Sequence, residues 1–235
     1  MRDFFIHPSQ TNLELYAQAI TRGCSREQCR ELADAYLFAL RQVFPLARGS
    51  GKPFISHLVG SASLVMESGR PFHWVIGALL HALYQRRIPF QGGLTPEERR
   101  PLLADRFGPE VDELVHRYTA FESEHLGRLM WDDGGEQTDQ SDVLTIRLAD
   151  ELEDISGHSL ALHGNPGAED AGLRGAYPWR RDAKTAEAPA LLVLSSRLGL
   201  EGMHRSFRHW LDFASTPEFL ADMRTGWLSS ESLGE

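Results

Sequence analysis

The chain has 235 residues, 42% of them hydrophobic, and its 24 lysines and arginines against 33 aspartates and glutamates give a net charge of −9. This charge argues against a nucleic-acid polymer or an anionic membrane as partner, and no apolar run approaches the length of a membrane span. The two cysteines, Cys24 and Cys29, are too few for a disulfide framework or a four-cysteine zinc site. The apolar start is interrupted by Pro8, too early for a signal peptide. We therefore expect one soluble, cytoplasmic domain.

The first 45 residues show helical periodicity. Apolar side chains recur every three or four positions from Asn12 to Thr21 and again from Arg26 to Phe44. Thr11, before the first segment, and Ser25, before the second, are residue types that cap helix N-termini. The sequence therefore predicts a short amphipathic helix followed by a longer one.

A glycine-rich stretch, residues 46–53, separates these helices from two more. It predicts a loop that ends with Pro53 at the first position of the next helix. That helix has His57 at the edge of its apolar stripe and ends near Gly69. The following segment, Phe72 to Tyr84, is apolar nearly all round, which predicts a helix that is buried on all sides at the centre of the fold.

The rest of the chain alternates helical and irregular segments. Thr95 and Pro96 are typical of a helix start, and so are Gly108 and Pro109. Further helices are predicted over residues 141–156, 191–200, 203–213 and 216–227. Residues 131–140 form a predicted acidic loop, and residues 157–190 a long irregular excursion. Since no segment alternates as a strand would, the predicted fold class is all-α, a single helical bundle over residues 1–235 with extra N- and C-terminal helices.

Three potential metal ligands lie on three different predicted helices: His57, His81 and Asp150. Imidazole and carboxylate groups suit zinc, manganese or iron, and such ions activate water for attack on phosphorus. His81 is the most informative, because a histidine inside so apolar a helix needs a polar partner. Gly77 and Ala78, one turn earlier, allow another helix to approach closely. If the three helices converge, the sequence predicts a divalent-metal site.

Each of these features also has a simpler interpretation. His81 fits a hydrogen-bonded core histidine, while Asp150 and Asp154 share with Arg147 a stripe opposite the apolar face of their helix, which is typical of a solvated surface. Basic pairs at residues 86–87, 99–100 and 180–181 fit solvated surface as well as phosphate contacts. Three aromatic residues of the C-terminal helices indicate either core packing or a homo-oligomer interface: Phe207, Trp210 and Phe213.

Three segments together resemble a known family: RGSGKPFISH at residues 48–57, LLH at 79–81 and IRLAD at 146–150. Their order, residue types and rough spacing are similar to those of the HD hydrolase domain of RelA/SpoT-type alarmone enzymes, within the HD superfamily of metal-dependent phosphohydrolases. The resemblance covers residues 47–156. It implies that His57, His81 and Asp150 are metal ligands and that Arg48 packs on a nucleotide base.

The chain departs from the family pattern near the second histidine. The family has a ligand aspartate directly after that histidine, where this chain has Ala82, and a Glu-Asp pair where it has Gln85 and Arg86. An asparagine expected one turn after the metal aspartate is Asp154. The resemblance therefore implies divergence from alarmone hydrolysis. Three ligands plus water still form a catalytic type of site, and nearby acids offer a replacement carboxylate: Asp154, Glu67, Glu122 and Glu124.

Two hypotheses about function remain open. In the first, the chain is a metal-dependent phosphohydrolase acting on a nucleotide or another small phosphorylated molecule, with a manganese, zinc or iron ion and with Asp154 as catalytic residue. In the second, it is a catalytically inactive HD-fold module that binds or regulates through a retained pocket. In both, the substrate-binding residues are expected to be Arg48, Ser50, Gln85 and Arg86.

Overall fold

The computed structural model describes residues 3–48, 52–86, 88, 90–121, 140–156 and 189–213. These residues form α-helices joined by turns, and the only β-type pairing among them is an isolated bridge between Ala47 and Pro53. The all-α prediction is confirmed for this part of the chain. The helices are α1 (Asn12–Thr21), α2 (Arg26–Val43), α3 (Phe54–Glu67), α4 (Phe72–Leu80), α5 (Pro96–Phe107), α6 (Pro109–Ala120), α7 (Ser141–Ile155) and α8 (Glu201–Phe213), with a short 3₁₀ helix at Gln91–Gly93 and a further helical stretch at residues 189–197.

Helix starts follow the local signals in the sequence. Three helices begin with a capping box. In this motif the cap hydroxyl accepts a hydrogen bond from a backbone N–H, and a side chain three residues later accepts one from the backbone N–H of the cap residue. The capping boxes pair Thr11 with Glu14 at α1, Ser25 with Gln28 at α2 and Thr95 with Glu98 at α5. Pro53 immediately precedes α3 and takes the cap position, one residue before the position predicted for it.

Helices α3 and α4 lie at the centre of the bundle. Helix α3 packs against α1, α2, α4 and α7, and α4 packs against α2, α3, α6 and α7. The predicted close approach at Gly77 is confirmed, because a Cβ built there would lie 2.8 Å from a methyl carbon of Leu114. Gly60 has the same role on α3, where a Cβ would lie 2.5 Å from Cγ of Glu153. Because Gly77 and Gly60 have no Cβ, α6 approaches α4 closely and α7 approaches α3 closely.

The central helix is shorter than its apolar pattern predicts. The sequence predicts helix through Tyr84, but α4 ends at Leu80 and the next residues form turns closed by bonds over three residues, from Leu83 N to Leu80 O and from Gln85 N to Ala82 O. The reason is tertiary. The buried Arg99 donates to the carbonyl oxygens of this segment and of the loop after it, at Leu83, Gln85, Ile88 and Leu94. His81 therefore lies just beyond the C-terminus of α4.

The C-terminal part is described through Phe213. Residues 189–197 are helical, and α8 packs against α7. Phe207 and Trp210 are buried, which supports the core-packing interpretation for these two aromatics. The predicted acidic loop, apart from Gln140, the excursion up to residue 188 and the helix at 216–227 lie outside the described residues. No described helix has the combination of length and apolarity that crossing a bilayer requires.

Candidate metal centre

The three predicted ligands converge. His57 on α3, His81 after α4 and Asp150 on α7 each offer one ligand atom within 4.8 Å of the others. Nε2 of His57 lies 2.9 Å and Nε2 of His81 lies 3.9 Å from Oδ1 of Asp150. In a tetrahedral site with metal bonds near 2.1 Å, ligand atoms are separated by ~3.4 Å. The observed separations bracket this value, so shifts of about half an ångström fit the donor set to a zinc-sized ion.

The second nitrogen of His57 is held by a buried carboxylate. Nδ1 lies 2.6 Å from Oε2 of Glu153, and Glu153 also pairs with Lys52, with the side chains of His57, Glu153 and Lys52 all fully buried. Burial raises the pKa of Glu153, but the charges of Lys52 and His57 outweigh it and lower that pKa. An ionised Glu153 makes Nδ1 the donor, which leaves Nε2 toward Asp150 at 2.9 Å. Metal-binding histidines are oriented in this way by outer carboxylates. Burial and the Arg48 charge lower the pKa of His57, but the hydrogen bonds with Asp150 and Glu153 and the charge of Asp150 outweigh them and raise that pKa. A metal ion bound at Nε2 would take the place of the proton there.

The second nitrogen of His81 is also occupied. Its Nδ1 donates to the carbonyl oxygen of Ala78 at 2.7 Å, which leaves Nε2 toward Asp150. Burial lowers the pKa of His81 from 6.5 to about 4, so the ring is neutral near pH 7 and its Nε2 lone pair is available to a metal. The simpler interpretation, a core histidine with a hydrogen bond, accounts for Nδ1 but not for the direction of Nε2.

The two carboxylate oxygens of Asp150 have different surroundings. Oδ2 accepts a hydrogen bond of 2.6 Å from the Tyr118 hydroxyl and lies 3.6 Å from Nη1 of Arg147. Oδ1 is buried, and the described donor nearest to it is Nε2 of His57, at 2.9 Å and poorly aligned for a hydrogen bond. Burial raises the pKa of Asp150, but His57, His81 and Arg147 outweigh it and hold that pKa well below its usual value. A buried, ionised oxygen without a well-aligned donor is suited to a cation.

Two cationic residues that precede α3 pair with consecutive acids of α7. Arg48 N donates to Lys52 O at 2.8 Å. The side chain of Lys52 reaches Glu153, and that of Arg48 reaches Asp154. Asp154 also lies 3.7 Å from Nδ1 of His57. Two of the residues predicted for substrate and catalysis, Arg48 and Asp154, therefore lie beside the ligand cluster as an ion pair.

Other predicted site residues are not in the cluster. Gln85 and Arg86 line a cavity of about 240 Å³ whose wall also contains Arg100 and His116. None of the three candidate ligands lines this cavity, but its walls include Tyr84, three residues after His81, and Thr119, directly after Tyr118. Ser50 lies outside the described residues.

The replacement carboxylates predicted for the missing ligand fall into three groups. Asp154 lies beside the cluster. Glu67 instead pairs with Arg22 and accepts from Gln18, so the structure contradicts it as a replacement, and Glu122 and Glu124 lie outside the described residues. Ala82, fully buried, contributes only a methyl group.

One interpretation from the sequence is wrong. The simpler interpretation, that the stripe of α7 with Arg147, Asp150 and Asp154 faces solvent, does not hold, because Asp150 and Glu151 are buried and Arg147 is largely enclosed. Helix α7 packs against α3, α4, α6 and α8, so both its apolar and its charged faces are covered. The sequence also gave no reason to select Glu153, Lys52 or Tyr118, because a carboxylate, an amine and a phenol are common on exposed helix faces.

Comparison with known proteins assigns no relative. No known protein family matches the chain, and no curated protein gives a significant match. The chemistry of this centre is therefore inferred from its own donor atoms, charges and hydrogen bonds.

Proposed function

We propose that the chain binds one divalent transition-metal ion through His57, His81 and Asp150 and acts as a phosphohydrolase of the HD type. The observation that carries the proposal is the arrangement around Asp150. Two imidazole Nε2 atoms face one buried carboxylate oxygen that has no well-aligned hydrogen-bond donor among the described residues, while both Nδ1 atoms are held from behind. A purely structural cluster does not need two imidazole nitrogens oriented toward one anionic oxygen.

The residues divide into ligands and supports. A zinc, manganese or iron ion would supply Lewis acidity toward a phosphoryl group and would lower the pKa of water. Glu153 fixes the ring of His57, and Tyr118 fixes the carboxylate of Asp150. Asp154, with a side chain 14% exposed, is the acid of this group nearest to solvent. In this proposal it positions water or accepts a proton.

The substrate is proposed to be a nucleotide or another small phosphorylated molecule. Arg48 lies at the cluster, and an arginine fork matches phosphate oxygens. Gln85 and the exposed Arg86 line the neighbouring cavity. Alarmone hydrolysis is not proposed, since Gln85 and Arg86 stand where the resembled family has its acidic pair. With three protein ligands, a position remains for water or substrate.

A specific observation favours the alternative, an inactive binding or regulatory module. Ala82 places a buried methyl group where the resembled family has a fourth ligand. Removing an anionic ligand weakens the binding of hard cations. In this alternative the cluster is a buried polar network that stabilises the bundle and the cavity binds the ligand.

Metal content and turnover separate the two functions. Tag-free protein is analysed for bound metal, titrated with zinc, manganese and iron(II), and assayed with p-nitrophenyl phosphate and nucleoside monophosphates. Asp150→Asn keeps the shape of the side chain but removes its charge, and is expected to lower metal affinity by at least about tenfold and to abolish turnover. Asp34→Asn is the matched control, because Asp34 is an exposed carboxylate paired with Arg106.

The outcomes are distinct. Near-stoichiometric metal, lost in Asp150→Asn and retained in Asp34→Asn, together with metal-dependent phosphate release, supports the phosphohydrolase. Metal binding without turnover supports the inactive module. Less than about a tenth of an equivalent of metal, with no tight binding on titration, contradicts the proposed centre.

A further inference from the structure

Helices α1 and α2 carry most of the exposed apolar side chains. Of the five large hydrophobic residues that are exposed in the described part of the chain, four belong to these helices or to the cap of α2: Leu13, Ile20, Leu37 and Phe44, with exposed fractions between 48% and 74%. Leu13 and Ile20 are two turns apart on α1 and share one face with the exposed Ala17. Single exposed hydrophobic residues are ordinary, but their concentration on adjacent helices indicates an interaction surface.

Two tyrosines join the outer faces of these helices. The rings of Tyr16 on α1 and Tyr36 on α2 meet edge to face, with 6.3 Å between their centroids, and both residues are partly buried. Tyr16 lies one helical turn from Leu13 and from Ile20, and Tyr36 directly precedes Leu37. The exposed apolar side chains of α1 and α2 therefore lie side by side on one surface of the bundle.

Three arginines share the outer face of α2. Arg26, Arg30 and Arg41 recur at helical spacing with Ala33 and Leu37, and the opposite face carries the buried residues of the helix. All three arginines are exposed, and none forms an ion pair with another described residue. On a chain with a net charge of −9, a stripe that combines cationic and apolar side chains is suited to an anionic partner.

The acids of the same helices do not neutralise these arginines. Glu14 accepts hydrogen bonds in the capping box of α1, and Asp34 pairs with Arg106 of α5. Glu27 and Glu31, four residues apart, lie on the flank of α2 beside the arginine stripe. The three guanidinium groups are therefore available to the carboxylates of a bound partner.

We propose that α1 and α2 together bind an acidic amphipathic helix of a partner protein. The α1–α2 surface is formed by Leu13, Ile20, Leu37 and Phe44 with the three arginines of α2. The apolar face of the partner helix packs on the four hydrophobic side chains, and its carboxylates pair with the arginines. No candidate metal ligand lies on α1 or α2, so this inference goes beyond the proposed function and does not depend on it.

The charges favour this partner over a second copy of the chain and over a membrane. Two α2 stripes paired lengthwise about a twofold axis bring arginine against arginine in either direction. Antiparallel pairing places Arg41 opposite Arg26 and Arg30 of the other copy, and parallel pairing places each arginine opposite itself. Such like-charge contacts are unfavourable. An anionic membrane would also meet the negative charge of the remaining chain, whereas a bound helix contacts the α1–α2 surface alone.

The test measures the binding of a labelled synthetic helical peptide, with leucines on one face and glutamates on the other, to the full chain by fluorescence anisotropy. A peptide with lysines in place of the glutamates is the charge control. The variants are Leu13→Ser and the double variant Arg30→Glu with Arg41→Glu. Leu102→Ser and Arg205→Glu are the matched controls, because Leu102 is 44% exposed on α5 and Arg205 is 66% exposed on α8. Thermal unfolding verifies that each variant is folded.

The acidic peptide is expected to bind the wild type, and more weakly as the salt concentration rises. Leu13→Ser and the double arginine variant are each expected to weaken binding at least about fivefold, with both controls within about twofold. Equal binding of the lysine peptide, equal affinity in all variants or no binding of the acidic peptide would each overturn the inference. Sedimentation and flotation with phosphatidylserine vesicles test the other occupants. Self-association or vesicle binding that the same variants abolish, without peptide binding, would also overturn it.

Discussion

Replacing Glu153 by glutamine tests whether the buried carboxylate behind His57 supports both the fold and the metal centre. Glutamine keeps the size of the side chain and can still accept from Nδ1 of His57, but it carries no charge. Lys52, whose side chain is fully buried against Glu153, is then left without its counter-ion. The donor at His57 faces a neutral amide instead of a carboxylate.

Both effects have an expected size. Removing one partner of a buried ion pair costs about 3–5 kcal/mol, because the remaining charge is desolvated and uncompensated. Domains of ordinary stability have about 5–15 kcal/mol in total, so Glu153→Gln is expected to fold but to be strongly destabilised. Loss of an outer-shell carboxylate lowers metal affinity by about 10–100-fold.

Denaturant unfolding and metal titration measure the two effects separately. The double variant Lys52→Met with Glu153→Gln removes both charges of the pair, so it is expected to recover most of the stability while metal affinity stays low. Glu67→Gln is the matched control, because Glu67 is another nearly buried carboxylate on α3 that pairs instead with Arg22. Its metal affinity is expected to equal that of the wild type.

Two results would refute this reasoning. A free energy of unfolding for Glu153→Gln within about 1 kcal/mol of the wild type would mean that Lys52 finds water or another partner. Metal affinity within twofold of the wild type would mean that the Glu153 charge does not influence the His57 ligand.

Three further predictions follow from single positions. For Gly60→Ala the free energy of unfolding is expected to fall by about 1–3 kcal/mol and the metal affinity to fall as well, because the added Cβ would lie 2.5 Å from Glu153 Cγ. Unchanged unfolding and titration curves would contradict this. Ala82→Asp is expected to lower the melting temperature of metal-free protein, and added zinc is expected to raise that temperature again. Equal melting temperatures with and without zinc would mean that the new carboxylate does not reach the ion. The pKa of His81 is about 4 in the folded protein, against 6.5 ordinarily. The stabilisation from the neutral ring is therefore present above pH 6.5, and in metal-free protein the free energy of unfolding is expected to fall by ~2.5 kcal/mol by pH 4.5. His81→Gln should show a smaller fall.

The stability change with pH has a definite sign. Unfolded His81 takes up a proton near pH 6.5, whereas the buried ring resists protonation until about pH 4. The unfolded state therefore binds more protons in this window, and stability falls as the pH falls. Comparing wild type with His81→Gln cancels the titration of neighbouring groups that both proteins share.

The sequence determined the helical elements and the ligand types. The caps at Thr11, Ser25 and Thr95 are hydrogen bonds over three residues, and the apolar stripes repeat within single helices, so both can be recognised without knowledge of the fold. The end of α4 could not be, because it depends on Arg99, which binds carbonyl groups 11 to 16 residues earlier in the chain. Local pattern alone predicts continued helix there.

Only the tertiary structure decided what surrounds the ligands. The sequence pointed to His57, His81 and Asp150 as chemically suitable, but whether they meet depends on contacts between residues about 70 to 100 positions apart. Glu153 was one charged residue among several on a helix, and its position against His57 and Lys52 arises because Gly60 lets α7 approach α3. Periodicity identifies which face of a helix is apolar. Whether its polar face meets water or other side chains is decided by the packing of distant helices.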